Sequence, residues 1–561
     1  MSNSLPRLAT IGLSLALLTA CGQQASSPAE TALAPTAAPA PVATSAVDSR
    51  PNILYIMADD LSYSDLGVYG GEIPTPNLDL LATNGMLLTS FYTGLACSPT
   101  RAMLMSGMDN HLSGLGVMGA PSRPEHQNQE GYLAYLNFRV ASLADLMSDA
   151  GYNTYMAGKW HLGMDDFNGA HARGFKKSFV SLDGAAHLGP WDWRGPQNAK
   201  YRDNGALVEA DADFYSTRVY TEHMLQYIEE DRTDGKPFFA WLAYTAPHWP
   251  LQAPKDSIAR FQGNYDAGYE ALYESRFARI KQLGLIPADA QPIPDERFNP
   301  RWDSLSDEQK AIESRQMEIY AAMVSDLDIY VGQVIDYLKE IGEFDNTFII
   351  FTSDNGAESG ATEARPNIVA EIGKSYDHSL DNLGAGNTYV MYGRNWASAT
   401  EAPFYRHKAT GFEGGIRVPA FVHYPPLVAP GTRSNGPAHV MDLLPTFLAL
   451  AGSEHPGAEY RGQPVLPPQG KSLLPQLGGD SATVRENGLL GFELHGHRSV
   501  RAGDWKLVWD QAGPPEGRRW SLFNLASDPF EQNDLSASNP EKFQEMLANW
   551  DAYQNSSGVI Y

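Results

Sequence analysis

The sequence predicts an α/β protein: a large, mostly parallel mixed sheet flanked by helices, followed by a smaller C-terminal domain of antiparallel sheet plus helix. Three observations carry that expectation. Apolar runs at 52–57, 238–244 and 347–352 show no polar alternation, as expected of strands buried on both faces. Helix-like segments lie between such runs, and strands alternating with helices build a parallel sheet. From about Pro456 the texture changes to short strands at 491–494, 498–501, 505–509 and 520–523, joined by turns rich in Gly, Asp and Pro.

The chain of 561 residues opens with Arg7 and an apolar run at 11–18, too short to span a bilayer. The run ends Leu18-Thr19-Ala20-Cys21-Gly22, which resembles a bacterial lipobox. That resemblance implies a signal peptide at 1–20, cleavage before Cys21 by lipoprotein processing machinery, and anchoring through Cys21 in the periplasm or at the cell surface. Residues 21–50, rich in Ala, Pro, Ser and Thr, read as a flexible tether. A catalytic domain over 51–455 and a C-terminal α+β subdomain over 456–561 are expected to follow. With Cys21 lipidated, Cys97 is the only cysteine left in the fold, so no structural disulfide can form.

The first strand, 52–57, runs into Asp59 and Asp60, adjacent carboxylates that repel unless a cation lies between them. A helix from Thr75-Pro76 to Asn84 and a strand at 86–92 lead to Cys97-Ser98-Pro99-Thr100-Arg101. Ser98 reads as an N-cap with Pro99 in the first turn, and Gly107 closes the helix. Cys97 is then expected at an anion-friendly helix mouth, with Arg101 on the same face pointing toward it. A helix at 143–150 precedes a strand at 152–157 that delivers Lys159 and His161, alternate residues expected to share a side. The strand at 238–244 delivers His248, and a long helix at 314–341 precedes the strand that delivers Asp354 and Asn355. Lys408 lies upstream of Gly414-Gly415 and a strand at 417–424; a last helix, 540–553, closes the chain.

Four buried-type strands thus each end in a polar cluster, and open α/β sheets bind ligands outside the carboxyl ends of their strands. One shared site is expected. The charge balance, 41 basic against 66 acidic residues or −25 net, argues against nucleic-acid partners, so an anion site must be a local basic pocket. Asp59, Asp60, Asp354 and Asn355 offer only oxygen ligands, which suits Ca²⁺, with Mg²⁺ as the alternative. The stretch 357–408 carries little regular signal, and its Tyr376, Tyr389, Tyr392, Trp396 and Tyr405 are expected either to line the substrate mouth or to pin the loop down.

Together, Cys97-Ser98-Pro99-Thr100-Arg101, Gly158-Lys159-Trp160-His161-Leu162-Gly163, Ala246-Pro247-His248, Ser353-Asp354-Asn355-Gly356, Gly414-Gly415-Ile416-Arg417-Val418-Pro419 and Asp528-Pro529 resemble the type I sulfatases, members of the alkaline phosphatase-like superfamily. His171-Ala172-Arg173-Gly174-Phe175 and the run from Pro247 to Pro254 look closest to bacterial arylsulfatases. The resemblance implies hydrolysis of sulfate monoesters, with Cys97 oxidised to formylglycine by a maturation enzyme and its hydrate acting as nucleophile. It implies that Cys97, with Asp59, Asp60, Asp354 and Asn355, holds the metal, that Arg101 stabilises the alkoxide of the nucleophile, and that Lys159 bridges the formylglycine and the sulfate. His248 and Lys408 would bind sulfate and assist the leaving group, with His161 as the later base. Aryl sulfates or sulfated glycans are the implied substrates, and a monomer is the default. The alternatives are a phosphate or phosphonate ester hydrolase on the same fold, or an inactive surface protein that binds sulfated glycans.

Overall fold

The computed structural model describes residues 50–119, 121, 123–182, 187–191, 199–485, 488–511 and 517–561. The expected leader (1–20) and the tether as far as residue 49 lie outside the described residues. The main sheet has ten strands in the order Thr432–Ser434, Met86–Leu88, Ala420–His423, Thr347–Ser353, Asn52–Ala58, Phe238–Ala243, Asn153–Lys159, Lys177–Ser181, Lys200–Asp203 and Ala206–Glu209. The five from Thr347–Ser353 to Lys177–Ser181 are parallel. Ala420–His423 on one side and Lys200–Asp203 on the other pair antiparallel to them.

The central strand Asn52–Ala58 shows why no polar alternation is visible. Leu54 and Ile56 feed one core, while Ile53, Tyr55 and Met57 feed the core on the opposite face. Both faces exclude water, so period two separates two apolar layers rather than apolar from polar.

Several expected elements differ in their bounds, four of them in ways that matter for the core or the sheet. The long helix is Asp307–Glu340, opened by a capping box between Ser306 and Gln309. Its first turns are mostly exposed and carry no apolar run, which hid them. The strand expected at 86–92 is two pieces: Met86–Leu88 joins the main sheet, while Phe91–Tyr92 pairs with Arg417–Val418 and Ala438–His439. The strand expected at 417–424 breaks at Pro419, which has no N–H to donate, into Arg417–Val418 and Ala420–His423. The stretch 357–408 contains the helix Gly393–Thr400, and its Trp396 and Tyr392 are core residues.

The C-terminal strands Leu489–Leu494, His497–Ala502, Trp505–Trp509 and Trp520–Asn524 form a separate antiparallel sheet in sequence order. Helix Pro540–Ser557 covers it, with Met546, Trp550 and Tyr553 packed on Val500, Leu507 and Leu522. Among the described residues no helix is long and apolar enough to cross a membrane.

Candidate active site

Three strands of the parallel sheet bring the acidic residues and His248 together. Asp59 and Asp60 follow Asn52–Ala58, Asp354 and Asn355 follow Thr347–Ser353, and His248 lies just beyond Phe238–Ala243. Backbone bonds knit these ends: Asp354 N–H donates to Ala58 O at 3.1 Å, and Asp59 N–H donates to Ala246 O at 3.2 Å. The Leu61 N–H donates to Ser353 Oγ at 3.0 Å, which fixes the turn carrying both aspartates. Lys159 is the last residue of Asn153–Lys159, next in the sheet.

The helix that carries Cys97 runs from Cys97 to Ser106, starting two residues earlier than expected. Extended Ala96 is its N-cap, Ser98 caps nothing and its Oγ is buried without a partner, and Gly107 closes the helix at φ +66° as expected. Thr100 Oγ donates to Asp354 O at 2.6 Å and binds the helix to the neighbouring strand end. Cys97 Sγ lies 3.2 Å from Asp59 Oδ1 and 3.9 Å from Asp60 Oδ1.

Each carboxylate has a buried cation. Lys159 Nζ donates to Asp59 Oδ2 at 2.6 Å. Lys408 Nζ donates to Asp60 Oδ1 at 2.7 Å and Oδ2 at 3.0 Å. Arg101 donates to Asp354 Oδ2 at 3.1 and 2.8 Å and to Lys159 O at 2.5 Å. Its hydrogen bonds therefore go to Asp354 and the Lys159 carbonyl rather than to Cys97. His248 Nε2 lies 3.6 Å from Asp60 Oδ2. His161 sits beside this cluster, but alternation does not put it there: the strand ends at Lys159, and His161 adopts φ +56°.

Burial alone would raise the Asp59 carboxyl, but Lys159, with help from His248, Arg101 and Lys408, holds it well below the usual range. Asp60 goes the other way. Burial outweighs Lys408, the Asp59 charge adds to it, and the carboxyl is pushed up to about 7. Burial and then Asp59 also raise Asp354, against Arg101. Burial, followed by the charges of Asp354 and Asp59, pushes the Cys97 thiol well above its ordinary value. A thiolate is thus disfavoured here, contrary to the expectation of an anion at the helix mouth. Burial and the Lys159 ammonium hold His161 and His248 well below the ordinary histidine value, so both rings are neutral.

Ligand atoms of Asp59, Asp60, Cys97 and His248 all lie within 4.8 Å of one another, a grouping that could hold a metal ion. The donor chemistry fits a hard divalent cation. The fully buried Asp59, Asp60 and Asp354 are crowded, and Asn355, which donates to Asp60 Oδ1 at 2.6 Å, leaves its own Oδ1 buried with no partner. Sequence reasoning missed two residues around this set. Glu358 lies 3.3 Å from Lys408 Nζ, and His187 meets the His248 carbonyl at 2.9 Å. Neither stands in a motif; a carboxylate three residues past Asn355 was the available hint for the first.

Residues 51–453 match the family model described as Sulfatase. An uncharacterized sulfatase of Schizosaccharomyces pombe is 41% identical over 92% of this chain and 95% of its own length. An arylsulfatase of Klebsiella aerogenes is 38% identical over 77% of this chain and 93% of its own. The solved structure of Ps i-CgsB in complex with k-i-k-neocarrahexaose superposes with a TM-score of 0.64 at 25% identity, covering 90% of this chain and 92% of that one. With a matching model over most of the folded residues and two relatives, 41% and 38% identical, covered over nearly their whole length, the chain belongs to the sulfatase family.

Proposed function

We propose that this sulfatase hydrolyses aryl sulfates to a phenol and inorganic sulfate, using formylglycine made from Cys97 by a maturation enzyme. The observation that carries the reading is the state of Cys97: fully buried, 3.2 Å from Asp59, and unable to ionise readily. Such a thiol is a poor nucleophile, whereas an aldehyde hydrate offers two hydroxyl oxygens at the same place. Asp59, Asp60, Asp354, Asn355 and residue 97 would hold Ca²⁺, which when bound supplies a Lewis acid that acidifies a hydroxyl and draws in a sulfate oxygen.

The chain's own groups do the rest. Arg101 and Lys159 concentrate positive charge beside residue 97, where an alkoxide and then sulfate must be stabilised. Lys408 and His248 flank Asp60 at the leaving-group end of the site, where Lys408 would donate a proton to the leaving oxygen as the S–O bond breaks and His248 would help to hold the sulfate. His161, neutral and with a buried unpartnered Nδ1, would accept the proton released at residue 97 when sulfate departs. Ester and water thus become alcohol and sulfate, with one proton passed to solvent. Sulfated carbohydrate is the second substrate class to assay, because the similar solved structure was determined in complex with an oligosaccharide.

Purified protein should turn over an aryl sulfate much faster than the matching phosphate diester or phosphonate ester. Preference for either phosphorus ester would reassign the reaction. We further propose a lipid anchor at Cys21, so Cys21→Ser should move the protein from the membrane fraction to the soluble one.

A further inference from the structure

Lys408 is shared. Its Nζ contacts Asp60 at 2.7 Å, and it also lies 3.3 Å from Glu358 Oε2, a carboxylate outside the metal-binding set. Glu358 is itself fixed at both oxygens. Oε1 accepts the Gly360 N–H at 2.8 Å, and Oε2 accepts the indole N–H of Trp249 at 3.3 Å. Trp249 follows His248 in the chain, and its ring stands 4.7 Å from the His248 ring. On the other side the Arg365 guanidinium lies 4.9 Å from the Trp249 ring centre, so the indole is held from its edge and by stacking. One carboxylate therefore touches Lys408 directly and His248 through a single aromatic ring.

We propose that Glu358 is a positioning residue for the leaving-group end of the site, setting the Lys408 ammonium and, through Trp249, the His248 imidazole. The proposal rests on the reading above that Lys408 serves the departing oxygen and that His248 helps to hold the sulfate. The need for such a residue is physical. If Asp60 alone anchored Lys408, any cation bound by Asp60 would compete for the same oxygens, and the ammonium would lose its fixed place. Glu358 supplies a second anchor that does not share ligands with the metal-binding set. A group that places a proton donor matters most when the leaving oxygen needs the proton most, so the benefit grows with the basicity of the departing alcohol or phenol.

The test is a series of aryl sulfates spanning a wide range of leaving-group acidity, measured with the parent enzyme and with Glu358→Gln, Glu358→Asp, Trp249→Phe and Lys408→Ala. Glu358→Gln should lower kcat by about 10- to 100-fold for the most basic phenols, with KM nearly unchanged and with little loss for the most acidic phenols. Trp249→Phe, which keeps a ring but removes the N–H, should show a smaller loss with the same trend. Glu358→Asp should recover part of it. A loss in Glu358→Gln that is equal across the series, while Lys408→Ala shows the leaving-group trend, would overturn the positioning role and leave the reading of Lys408 standing. A flat loss in Lys408→Ala would instead remove the reading itself, and the proposal with it.

Discussion

Cys97 as encoded is a poor catalyst. It is buried, faces Asp59 and Asp60, and has its thiol pushed well above the ordinary value, which is why the proposed function assigns catalysis to a different chemical group at that position. Cys97→Ala should cut turnover of an aryl sulfate by about 10³-fold or more while the unfolding midpoint stays close to the parent's, because cysteine packs here as a small apolar residue. Measured rates and a denaturation curve decide this; substantial residual turnover would contradict it. At this scale the sequence was legible where one residue type answers one physical need. Asp59 and Asp60 side by side after a buried strand require cations, and Lys159 and Lys408 sit on them. Where two carboxylates compete for one cation the outcome is set by distances that no spacing encodes. Hence the partner of Arg101, read as Cys97, is Asp354, and Glu358 went unnoticed.

At the scale of elements, buried strands announced themselves, and their ends placed the acidic residues and Lys159 within one cluster. Boundaries were less readable because they turn on single backbone states. Gly158 shows how tight the arrangement is: it lies in the strand that presents Lys159, has φ +122°, and a Cβ there would stand 1.8 Å from the carbonyl oxygen of Ala243 on the adjacent strand. Gly158→Ala should therefore cost about 3 kcal/mol or more of stability, since both the dihedral and the backbone contact are forbidden. Equilibrium denaturation measures it, and a loss below about 1 kcal/mol would show that the strand end can yield. The Cys97 helix was misphased for a related reason. Ser98-Pro99 is a good cap sequence, but the Thr100 bond to Asp354 O and extended Ala96 set the start earlier.

Over the whole molecule, the C-terminal sheet is joined to the catalytic part by buried charges. Lys506 bridges Glu413 at 2.7 Å and Glu531 at 2.8 Å, and His111 lies between Asp109 and Glu493, both at 2.8 Å. Burial opposes a charged His111, but its bonds to Asp109 and Glu493 outweigh burial and lift it to about 9. The ordinary value is 6.5, so the folded state binds the proton more tightly than the unfolded chain. The stabilisation is complete below about pH 6.5 and is lost as pH rises through about 9, on the order of 3 kcal/mol in all. Unfolding free energy measured from pH 6 to pH 10 should fall across that window, and His111→Gln should flatten the fall. An unchanged slope in the variant would assign the dependence to other groups. This coupling could not be read from sequence, because His111 and Glu493 are far apart in the chain and neither lies in a motif.

The most direct test of the central claim is the mass of the peptide containing residue 97, taken from protein shown to be turning over an aryl sulfate. The account predicts that in active material the thiol-bearing carbon has become an aldehyde, seen as exchange of sulfur for oxygen with loss of two hydrogens and as reactivity toward carbonyl reagents. Fully active protein with an intact cysteine at that position would contradict it.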